Sequence, residues 1–336
     1  MDTLVALPSQ QSIEKACEII KSKEVVALPT ETVYGLFADA TDVAACENIF
    51  KAKERPMDNP LIVHISSYEM LGKVAQEIPL DATKLADLFW PGPLTIILKK
   101  TDIIPNEVSA GLDTVGIRMP SNPVILEIIS KTQTPLAGPS ANRSGRPSPT
   151  NAQYVYEDLK GRIPMIIDGG SCDIGVESTV ISLAGDTPII FRPGFITQKQ
   201  ISQALGKEVL LSKGIKEELA SEDKVMSPGL KHKHYAPKAQ VTIINATFEK
   251  YKEMVEKDNA VALCFDEYAK GINAECVTYG QQKDSIQQAQ QLFSALRHLD
   301  EIGAEKAYAT MPSLEGVGLA VYNRLLRAAA FRVVNL

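Results

Sequence analysis

Two hydrophobic patterns alternate along the first part of the chain. Short apolar runs predict β-strands at residues 25–28, 61–65, 94–98, 115–119, 165–167, 179–183 and 189–191. Apolar residues at helical spacing predict helices near residues 9–22, 42–52, 67–76, 81–89, 122–131 and 151–159. Many strands with interspersed helices indicate an α/β layer structure, and their irregular spacing predicts a mixed sheet instead of a purely parallel one.

The pattern changes twice after residue 205. Between residues 206 and 238, Lys, Glu, Ser and Gly dominate and the periodicity weakens, which predicts a linker. Beyond it, predicted helices at 284–300 and 318–331 alternate with predicted strands at 241–244, 261–265, 276–279 and 307–310. This alternation is typical of a small doubly wound, Rossmann-like α/β domain. We therefore expect a first domain over 1–205, a linker over 206–238 and a second domain over 239–336.

The composition is that of a soluble globular protein. The chain has 336 residues, of which 45% are hydrophobic and 23% are charged, and this length favours two domains. A net charge of −6 argues against a protein that coats nucleic acid nonspecifically. The five cysteines form no Cys-x-x-Cys pair, which favours a reducing compartment and no structural zinc. Because we find no leader pattern and no apolar run near the ~18 residues of a membrane span, we expect a cytoplasmic protein.

Polar side chains follow the predicted strand at 25–28. Residues 29–36 read Pro-Thr-Glu-Thr-Val-Tyr-Gly-Leu, which places two threonine hydroxyls and a phenol just beyond the strand end. Ligands collect at such ends in open α/β sheets. Further polar groups are Lys53, Arg55 and the Gly-Pro-Ser-Ala-Asn segment at 138–142. Hydroxyls, cations and amides together indicate an anionic substrate that bears a polyphosphate.

Several well-known catalytic motifs are missing from the sequence. It contains no Walker-type glycine loop, no His-Glu-x-x-His and no Gly-x-Ser-x-Gly elbow. Residues 316–321 begin like a dinucleotide fingerprint but lack its third glycine. Of the four histidines only His64 lies in the first domain, which argues against a histidine-centred triad.

Lys53, Arg55 and His64 each allow two interpretations. The guanidinium offers a planar fork of donors and the ammonium a compact point charge, which together suit a triphosphate. The alternative for this pair is a solvated charged loop. His64, inside the predicted strand at 61–65, is either a structural residue or a neutral hydrogen-bond partner for a ligand.

Other strand ends carry groups of the same kind. Ser140 and Asn142 would project to one side of an extended segment and could donate to phosphate oxygens, although an ordinary turn is the alternative. Arg118, at the end of the predicted strand 115–119, is a candidate clamp for a carboxylate. Several such groups within one domain favour a shared cleft.

These motifs together resemble those of the YrdC-type family, in the long, two-domain form of the threonylcarbamoyl-AMP synthases. The resemblance spans nearly the whole chain, and its lysine–arginine and serine–asparagine pairs are jointly specific. The matching segments are residues 29–36, 53–56, 59–61, 140–142, 178–179, 192–194, 227–229, 234–237 and 318–325. It implies a YrdC-type catalytic domain with a twisted mixed sheet and flanking helices, a linker that reaches the active site, and a small Rossmann-like domain.

The resemblance also implies an activity, that of a nucleotidyltransferase. L-threonine, bicarbonate or CO2, and ATP with Mg2+ would become L-threonylcarbamoyl-AMP and pyrophosphate. The product would serve the formation of threonylcarbamoyladenosine beside the anticodon of tRNA. Other proteins would carry out that transfer, so the resemblance implies weak or no direct tRNA binding and no membrane association.

Residue roles follow from the resemblance, with Lys53 and Arg55 as the catalytic pair. The implied ATP contacts are Lys53, Arg55, Asn59, Thr114, Ser140, Asn142, Ser148, Arg192 and Tyr235. The implied threonine contacts are Thr32, His64, Arg118, Gly138 and Ser178, with Arg118 on the carboxylate. Tyr235 would reach back from the linker and cover the nucleotide, and no protein-held metal is expected.

Two other functional classes compete with this one. An RNA-binding module is suggested by the cations Lys51, Lys53, Arg55, Arg143, Arg146, Lys231 and Lys233, but the acidic total charge counts against it. A carbamoyltransferase of the hydrogenase-maturation type would need acylphosphatase and Cys-x-x-Cys zinc modules, which the sequence lacks. The role of residues 239–336 stays open. Arg324, Arg327 and Arg332 belong either to a surface face or to a contact with a partner, and we favour the surface face.

Overall fold

A computed structural model describes residues 2–185, 187–215, 217 and 235–336. The first half of the chain alternates strands and helices. Its elements are β1 (Leu4–Ala6), α1 (Gln10–Lys21), β2 (Val26–Leu28), β3 (Gly35–Asp39), α2 (Val43–Lys53), β4 (Ile62–His64), α3 (Tyr68–Val74), α4 (Leu80–Phe89), β5 (Leu94–Lys99), α5 (Asn106–Ser109), β6 (Thr114–Arg118), α6 (Pro123–Thr132), β7 (Leu136–Gly138), α7 (Ala152–Leu159), β8 (Met165–Ile167), β9 (Thr179–Ser182), β10 (Ile189–Arg192), α8 (Gln198–Leu205) and β11 (Leu210–Leu211).

These strands form one large mixed sheet. Within the described residues it has eleven strands in the order β1-β8-β2-β3-β7-β4-β6-β5-β9-β10-β11. The sheet contains parallel pairs such as β4 with β6 and antiparallel pairs such as β5 with β6 and β9 with β10. The prediction of a mixed sheet is therefore confirmed.

The rest of the chain builds a second, smaller sheet. After a 3-10 turn at Lys213–Ile215, the elements are β12 (Gln240–Asn245), α9 (Phe248–Lys257), β13 (Val261–Cys264), α10 (Asp266–Ala269), β14 (Cys276–Thr278), α11 (Ser285–Glu301), β15 (Lys306–Thr310), α12 (Gly318–Ala328) and β16 (Val333–Asn335). The order is β14-β13-β15-β12-β16, and every recorded pairing is parallel. Helices link parallel strands here, so the Rossmann-like prediction is also confirmed.

The local sequence of helix α2 explains why the charged residue Lys53 is buried. Asp42 caps its N-terminus by accepting a backbone hydrogen bond, and Glu54 ends it in the left-handed region at φ +54°. Ile49 and Lys53 lie four residues apart, so they share the buried face of the helix. The last residue of this buried stripe is therefore a lysine, within a helix predicted to end one residue earlier.

Some elements were missed by pattern reasoning. Strands β3 and β7 are short and interrupted by glycine and alanine, which weakens the strand signal. Helix α9 is mostly polar, and its buried residues are Tyr251 and Val255. Such segments gain order from their neighbours in the fold, since their own periodicity is weak.

The two sheets belong to layers that pack against each other. The apolar cluster around α11 and α12 also contains Val33, Ile174 and Val176 from the first half of the chain. Across this boundary the Gln290 side chain donates to the Asp173 carbonyl at 2.7 Å. The second domain therefore has a defined position against the first.

Most of the predicted linker cannot be compared with the structure. Residues 218–234, including the segment 227–229 and His234, lie outside the described residues, and the exact domain boundaries stay predictions. In the part of the chain that the structure describes, none of the helices has the length and apolar character needed to cross a bilayer.

Candidate active site

A cleft in the first domain gathers side chains from many separate segments. The empty space in and in front of the cleft, open solvent included, is about 710 Å3. Its walls come from the segments after β2, α2 and β7, from the strands β4 and β6, and from the start of β9 and the end of β10. The lining residues are Thr30, Thr32, Val33, Gly35, Phe37, Lys53, Arg55, Ile62, His64, Arg118, Gly138, Pro139, Ser140, Asn142, Ser144, Gly145, Glu177, Ser178, Arg192 and Tyr235.

Lys53 enters the cleft from the end of α2 and is only 1% exposed. Its Nζ donates to the Ser140 carbonyl at 2.5 Å and to the Asn142 carbonyl. Burial, and next the positive charge of Arg55, hold the pKa of Lys53 well below its usual value. The interpretation as a solvated loop is therefore wrong for Lys53. An anion in the cleft would favour its charged form, because an opposite charge raises the pKa of an amine.

Arg55 and Arg192 make the cleft cationic. Burial lowers the pKa of each guanidinium to about 10, which leaves both charged at neutral pH. The Nη2 of Arg55 has only long contacts, at 3.3 Å to the Asn59 carbonyl and 3.4 Å to the Pro60 carbonyl, and its buried Nε has no partner. Arg192 donates through Nε and Nη2 to the Ser178 carbonyl and hydroxyl at 3.0 and 3.1 Å. Arg55 thus has unused hydrogen-bonding capacity for an anion.

Ser140 and Asn142 project to the same side, as expected for an extended segment. The Ser140 hydroxyl donates to Asn142 Oδ1 at 2.5 Å. The Asn142 amide in turn donates to the carbonyls of Arg143 and Arg146 at 2.8 and 2.9 Å. The side-chain pair is therefore fixed to the loop after β7, and a phosphate would compete for the Ser140 hydroxyl.

Arg118 already faces a carboxylate of the protein. Its Nη1 donates to the Thr32 hydroxyl at 2.9 Å, and its Nε donates to the Gly92 carbonyl at 3.2 Å. Its Nη2 lies 2.7 Å from Glu31 Oε1, although neither atom has an aligned hydrogen bond. A substrate carboxylate would share Arg118 with Glu31, so this clamp is weaker than an unpaired guanidinium would be.

His64 is a neutral residue at the wall of the cleft. Burial, and next the charge of Arg118, lower its pKa to about 3. Its Nδ1–H donates to the Ile62 carbonyl at 3.1 Å, and its ring meets Phe37 edge-on at 4.9 Å. A Cβ at Gly35 or Gly138 would lie 2.3 Å from the Phe37 ring. The Phe37 ring therefore leaves no room for a side chain at position 138, and a glycine lines the cleft there.

Glu177 also lines the cleft, although the sequence pattern predicts no role for it. Among the described residues that line the cleft it is the only carboxylate, and it accepts from the Ser148 hydroxyl and from Arg324 Nε at 2.5 and 2.6 Å. Burial opposes its ionisation, but Arg324, Arg192 and Ser148 together outweigh burial and lower the pKa. The surface interpretation of Arg324 is wrong, since its exposure is 0%, and Arg327 is buried as well.

Arg324 could not have been found from the helical pattern. Every residue of α12 is buried, so its polar residues show no separate face. The signal would have been a pairing between Arg324 and Glu177 across 147 residues of sequence, which a single sequence does not reveal.

Tyr235 brings the far end of the predicted linker to the cleft. The adjacent Ala236 amide donates to the Gly145 carbonyl at 2.9 Å. The ring of Tyr235 packs at 5.2 Å against Phe293 of α11, and the Arg324 guanidinium lies 5.8 Å from its centre. Burial raises the pKa of the phenol. Residues from both domains thus hold Tyr235 in the lining of the cleft.

Three of the implied nucleotide contacts, Asn59, Thr114 and Ser148, are not among the described residues that line the cleft. Thr114 borders a smaller neighbouring cavity, and Ser148 reaches the cleft only through Glu177. The phenol of Tyr34 is also turned away, since it donates to the Gly170 carbonyl at 2.7 Å. The remaining implied site residues come together in the lining.

The residues of the cleft can be compared with the ligands that Mg2+ prefers. No three acidic, cysteine or histidine side chains within the described ranges form a possible metal cage. Mg2+ commonly keeps its waters and binds through substrate phosphates with one or two carboxylates. Because both Glu177 oxygens already accept hydrogen bonds, the residues fit a phosphate-bound ion better than a protein-held one.

The arrangement suits the binding of an anion beside a smaller polar molecule. Arg55 and Arg192 supply positive charge, and an anion would favour the charged form of Lys53. Thr32, His64 and Ser178 supply neutral hydrogen-bonding groups. Fixed cations in a poorly solvated site stabilise negative charge that develops in a transition state.

Comparison with known proteins adds independent information. A family model for Sua5, YciO and YrdC, described as telomere recombination, matches residues 18–194. A model described as the threonylcarbamoyl-AMP synthase C-terminal domain matches residues 196–330.

Curated relatives and a solved structure match the chain over nearly its full length. A threonylcarbamoyl-AMP synthase of Pyrococcus abyssi is 42% identical over 96% of this chain and 95% of its own length. One of Bacillus subtilis is 42% identical over 96% of this chain and 94% of its own length. The crystal structure of P. abyssi Sua5 complexed with L-threonine has a TM-score of 0.93 and 40% identity, and it covers 99% of this chain and 100% of that one.

Proposed function

We propose a specific reaction for this chain, which belongs to the Sua5–YciO–YrdC family and has the two-domain form of the threonylcarbamoyl-AMP synthases. It is an enzyme that converts L-threonine, bicarbonate or CO2, and ATP into L-threonylcarbamoyl-AMP and pyrophosphate. The observation that carries the proposal is the meeting of Arg55 and Arg192 with Thr32, His64 and Ser178 in one cleft. The name of the curated relatives and the threonine complex of a similar structure support the same reaction.

The chemistry requires two bond-forming steps. The neutral threonine amine adds to CO2 and loses a proton to solvent, which forms a carbamate. A carbamate oxygen then attacks the α-phosphorus of ATP while the bond from that phosphorus to the bridging oxygen of pyrophosphate breaks. Negative charge spreads over the phosphate oxygens, so positioning and charge neutralisation supply most of the acceleration.

Lys53, Arg55 and Arg192 are assigned to the phosphates. Their cationic groups face one cleft from α2, from the loop after it and from the end of β10. Ser140 and Asn142 contribute from the loop after β7. Each charge-assisted contact is worth ~1.5–3 kcal/mol, which corresponds to a roughly ten- to hundredfold effect.

The threonine would lie against the other side of the cleft. Arg118 is assigned to its carboxylate, shared with Glu31, while Thr32, His64 and Ser178 surround the remainder. Because burial keeps His64 neutral, its ring adds no further charge next to Arg118. A hydroxyl-bearing side chain would find neutral partners there.

Tyr235 is assigned as a cover for the nucleotide. It lines the cleft from the end of the linker, held by Phe293 and Arg324 of the second domain. A covered cleft excludes water, which would otherwise hydrolyse the adenylate or release the labile carbamate. Mg2+ is assigned to the ATP complex that enters the cleft.

The product is expected to serve threonylcarbamoyladenosine formation beside the anticodon of tRNA. Transfer to tRNA is assigned to other proteins, because the chain is acidic overall and direct tRNA binding is expected to be weak or absent. Because the product would be used by the proteins that modify tRNA, we expect the enzyme in the cytoplasm.

Pyrophosphate release tests the proposal. The full chain is incubated with Mg2+, ATP, bicarbonate and each of the twenty amino acids in turn. Release with threonine, dependent on bicarbonate, is expected. Turnover of carbamoyl phosphate without threonine, or binding of RNA tighter than that of ATP, would instead support one of the two competing classes.

A further inference from the structure

We propose that the second domain completes the catalytic cleft through Arg324, a positioning residue that holds Ser178 and Arg192 in place. Arg297 holds the segment that leads to Ser148, which donates a hydrogen bond to Glu177. This inference rests on the proposed function, and it assigns a catalytic purpose to the second domain.

Arg324 reaches from α12 into the first domain and is fully buried. Its Nε donates to Glu177 Oε2 at 2.6 Å, and its Nη2 donates to the Glu177 carbonyl at 3.2 Å. Its Nη1 donates to the Pro193 carbonyl at 3.0 Å and to Asn323 Oδ1 at 3.0 Å. One guanidinium therefore joins two separate segments of the first domain.

Those two segments adjoin the proposed substrate contacts. Glu177 immediately precedes Ser178, and Pro193 immediately follows Arg192. Strands β9 and β10 are antiparallel, so the start of one lies beside the end of the other. Arg192 also donates to both the carbonyl and the hydroxyl of Ser178. By fixing both neighbours, Arg324 fixes the relative position of a proposed phosphate contact and a proposed threonine contact.

The turn after β10 and the start of β9 are closely packed. A Cβ at Gly194 would lie 2.4 Å from the Thr179 amide nitrogen and 2.7 Å from the Thr179 hydroxyl. The turn after β10 thus lies directly on the start of β9. A displacement of the Pro193 carbonyl would be transmitted to Ser178 and Arg192, because close-packed interiors transmit strain.

Arg297 of α11 holds the segment that leads to Ser148. Its Nη2 donates to Asp158 Oδ2 at 2.8 Å and to the Pro147 carbonyl at 2.6 Å. Pro147 precedes Ser148, whose hydroxyl donates to Glu177 Oε1 at 2.5 Å. The bond between Ser148 and Glu177 is therefore held on the Ser148 side by Arg297 and on the Glu177 side by Arg324.

A lysine could not replace Arg324. The guanidinium presents three differently directed donors to a carboxylate and two carbonyls, whereas an ammonium is a single point charge. Removing the charge altogether would leave Glu177 buried without its strongest partner. The two substitutions therefore separate the loss of geometry from the loss of charge.

The test compares Arg324→Lys and Arg324→Met with Arg332→Met. The Arg332→Met variant is the control, because Arg332 Nε donates to the Val241 carbonyl within the second domain. Threonine-dependent pyrophosphate release gives kcat and KM, and calorimetric ATP binding counts the competent sites. We expect kcat per competent site to fall about tenfold or more in both Arg324 variants, with KM for ATP changing less than about threefold. Arg332→Met should match the wild type.

A double variant distinguishes positioning from charge compensation. Adding Glu177→Gln to Arg324→Met removes the uncompensated charge, so Tm should recover while kcat stays below that of the Glu177→Gln single variant. Recovery of kcat to that single-variant level, or unchanged kcat per site in Arg324→Lys, would overturn the inference. If Arg324→Met does not fold, Arg324→Lys alone decides.

Failure of the inference can be told apart from failure of the proposed function. If the wild type releases no threonine-dependent pyrophosphate, the function fails. A crystal structure of the Arg324→Lys variant then still decides the positioning role. Displacement of the Arg192 guanidinium from the Ser178 hydroxyl, now at 3.1 Å, is expected, and an unchanged pair would refute it.

Discussion

Replacing Arg55 by methionine should impair catalysis while preserving the fold. Within the protein its Nη2 makes only two long contacts to carbonyls, at 3.3 and 3.4 Å, and its Nε has no partner. Burial also disfavours its charge, as its pKa of about 10 indicates. Removing the guanidinium therefore costs few internal interactions, and Tm should stay unchanged or rise.

The catalytic loss follows from the missing phosphate contact. One charge-assisted hydrogen bond is worth ~1.5–3 kcal/mol, so kcat/KM for ATP should fall roughly ten- to a hundredfold. Arg55→Lys keeps the charge but loses the fork, so an intermediate loss is expected. The assay is threonine-dependent pyrophosphate release, with ATP affinity measured by calorimetry.

Arg162→Met provides a matched control. Arg162 pairs with Glu54 at 2.7 Å outside the described lining of the cleft, so its loss should leave turnover unchanged. If Arg55→Met turned over ATP at the wild-type rate, the assignment of Arg55 to the phosphates would be refuted. Equal losses in both variants would refute it as well.

Three further predictions concern stability, pH and the cover of the cleft. Gly138→Ala should destabilise the fold by ~1–3 kcal/mol in urea unfolding, because its Cβ would meet the Phe37 ring. At Gly72 a Cβ would meet open space, so Gly72→Ala should be neutral or stabilising. Equal changes in the unfolding free energy of the two variants would contradict this. The folded-state pKa of His64 is depressed to about 3, so the unfolded chain binds a proton that the folded protein does not. The free energy of unfolding should therefore fall as pH drops from about 6.5 towards 3, by at most about 1.4 kcal/mol per pH unit. If the pH dependence of this free energy were the same in His64→Gln, a neutral buried ring would be refuted. Tyr235→Phe should retain most of the turnover because its ring still packs on Phe293, while Tyr235→Ala should lower turnover; equal rates in the two variants would remove the covering role.

The strand ends of the first domain could be predicted from the sequence. Apolar runs placed β4, β6 and β9, and the polar residues beside them, such as His64, Arg118 and Ser178, do meet in one cleft. This worked because side chains that leave a sheet at neighbouring strand ends share a crevice.

What the sequence could not show were contacts between distant segments. Glu177 lies 147 residues from Arg324, and Asp158 lies 139 residues from Arg297. Each is a charged residue whose burial depends on its partner, so neither member signals its role alone. The same holds for Arg118, since the sequence indicates a clamp for a substrate carboxylate but does not show that Glu31 faces its guanidinium.

A structure of the protein with L-threonine and an ATP analogue that resists cleavage at the α-phosphate tests the central claim most directly. The account predicts both molecules in the one cleft, with the triphosphate against Lys53, Arg55 and Arg192 and the threonine beside Thr32 and Arg118. A nucleotide bound at the carboxyl edge of the five-stranded sheet instead, with the cleft empty, would contradict it.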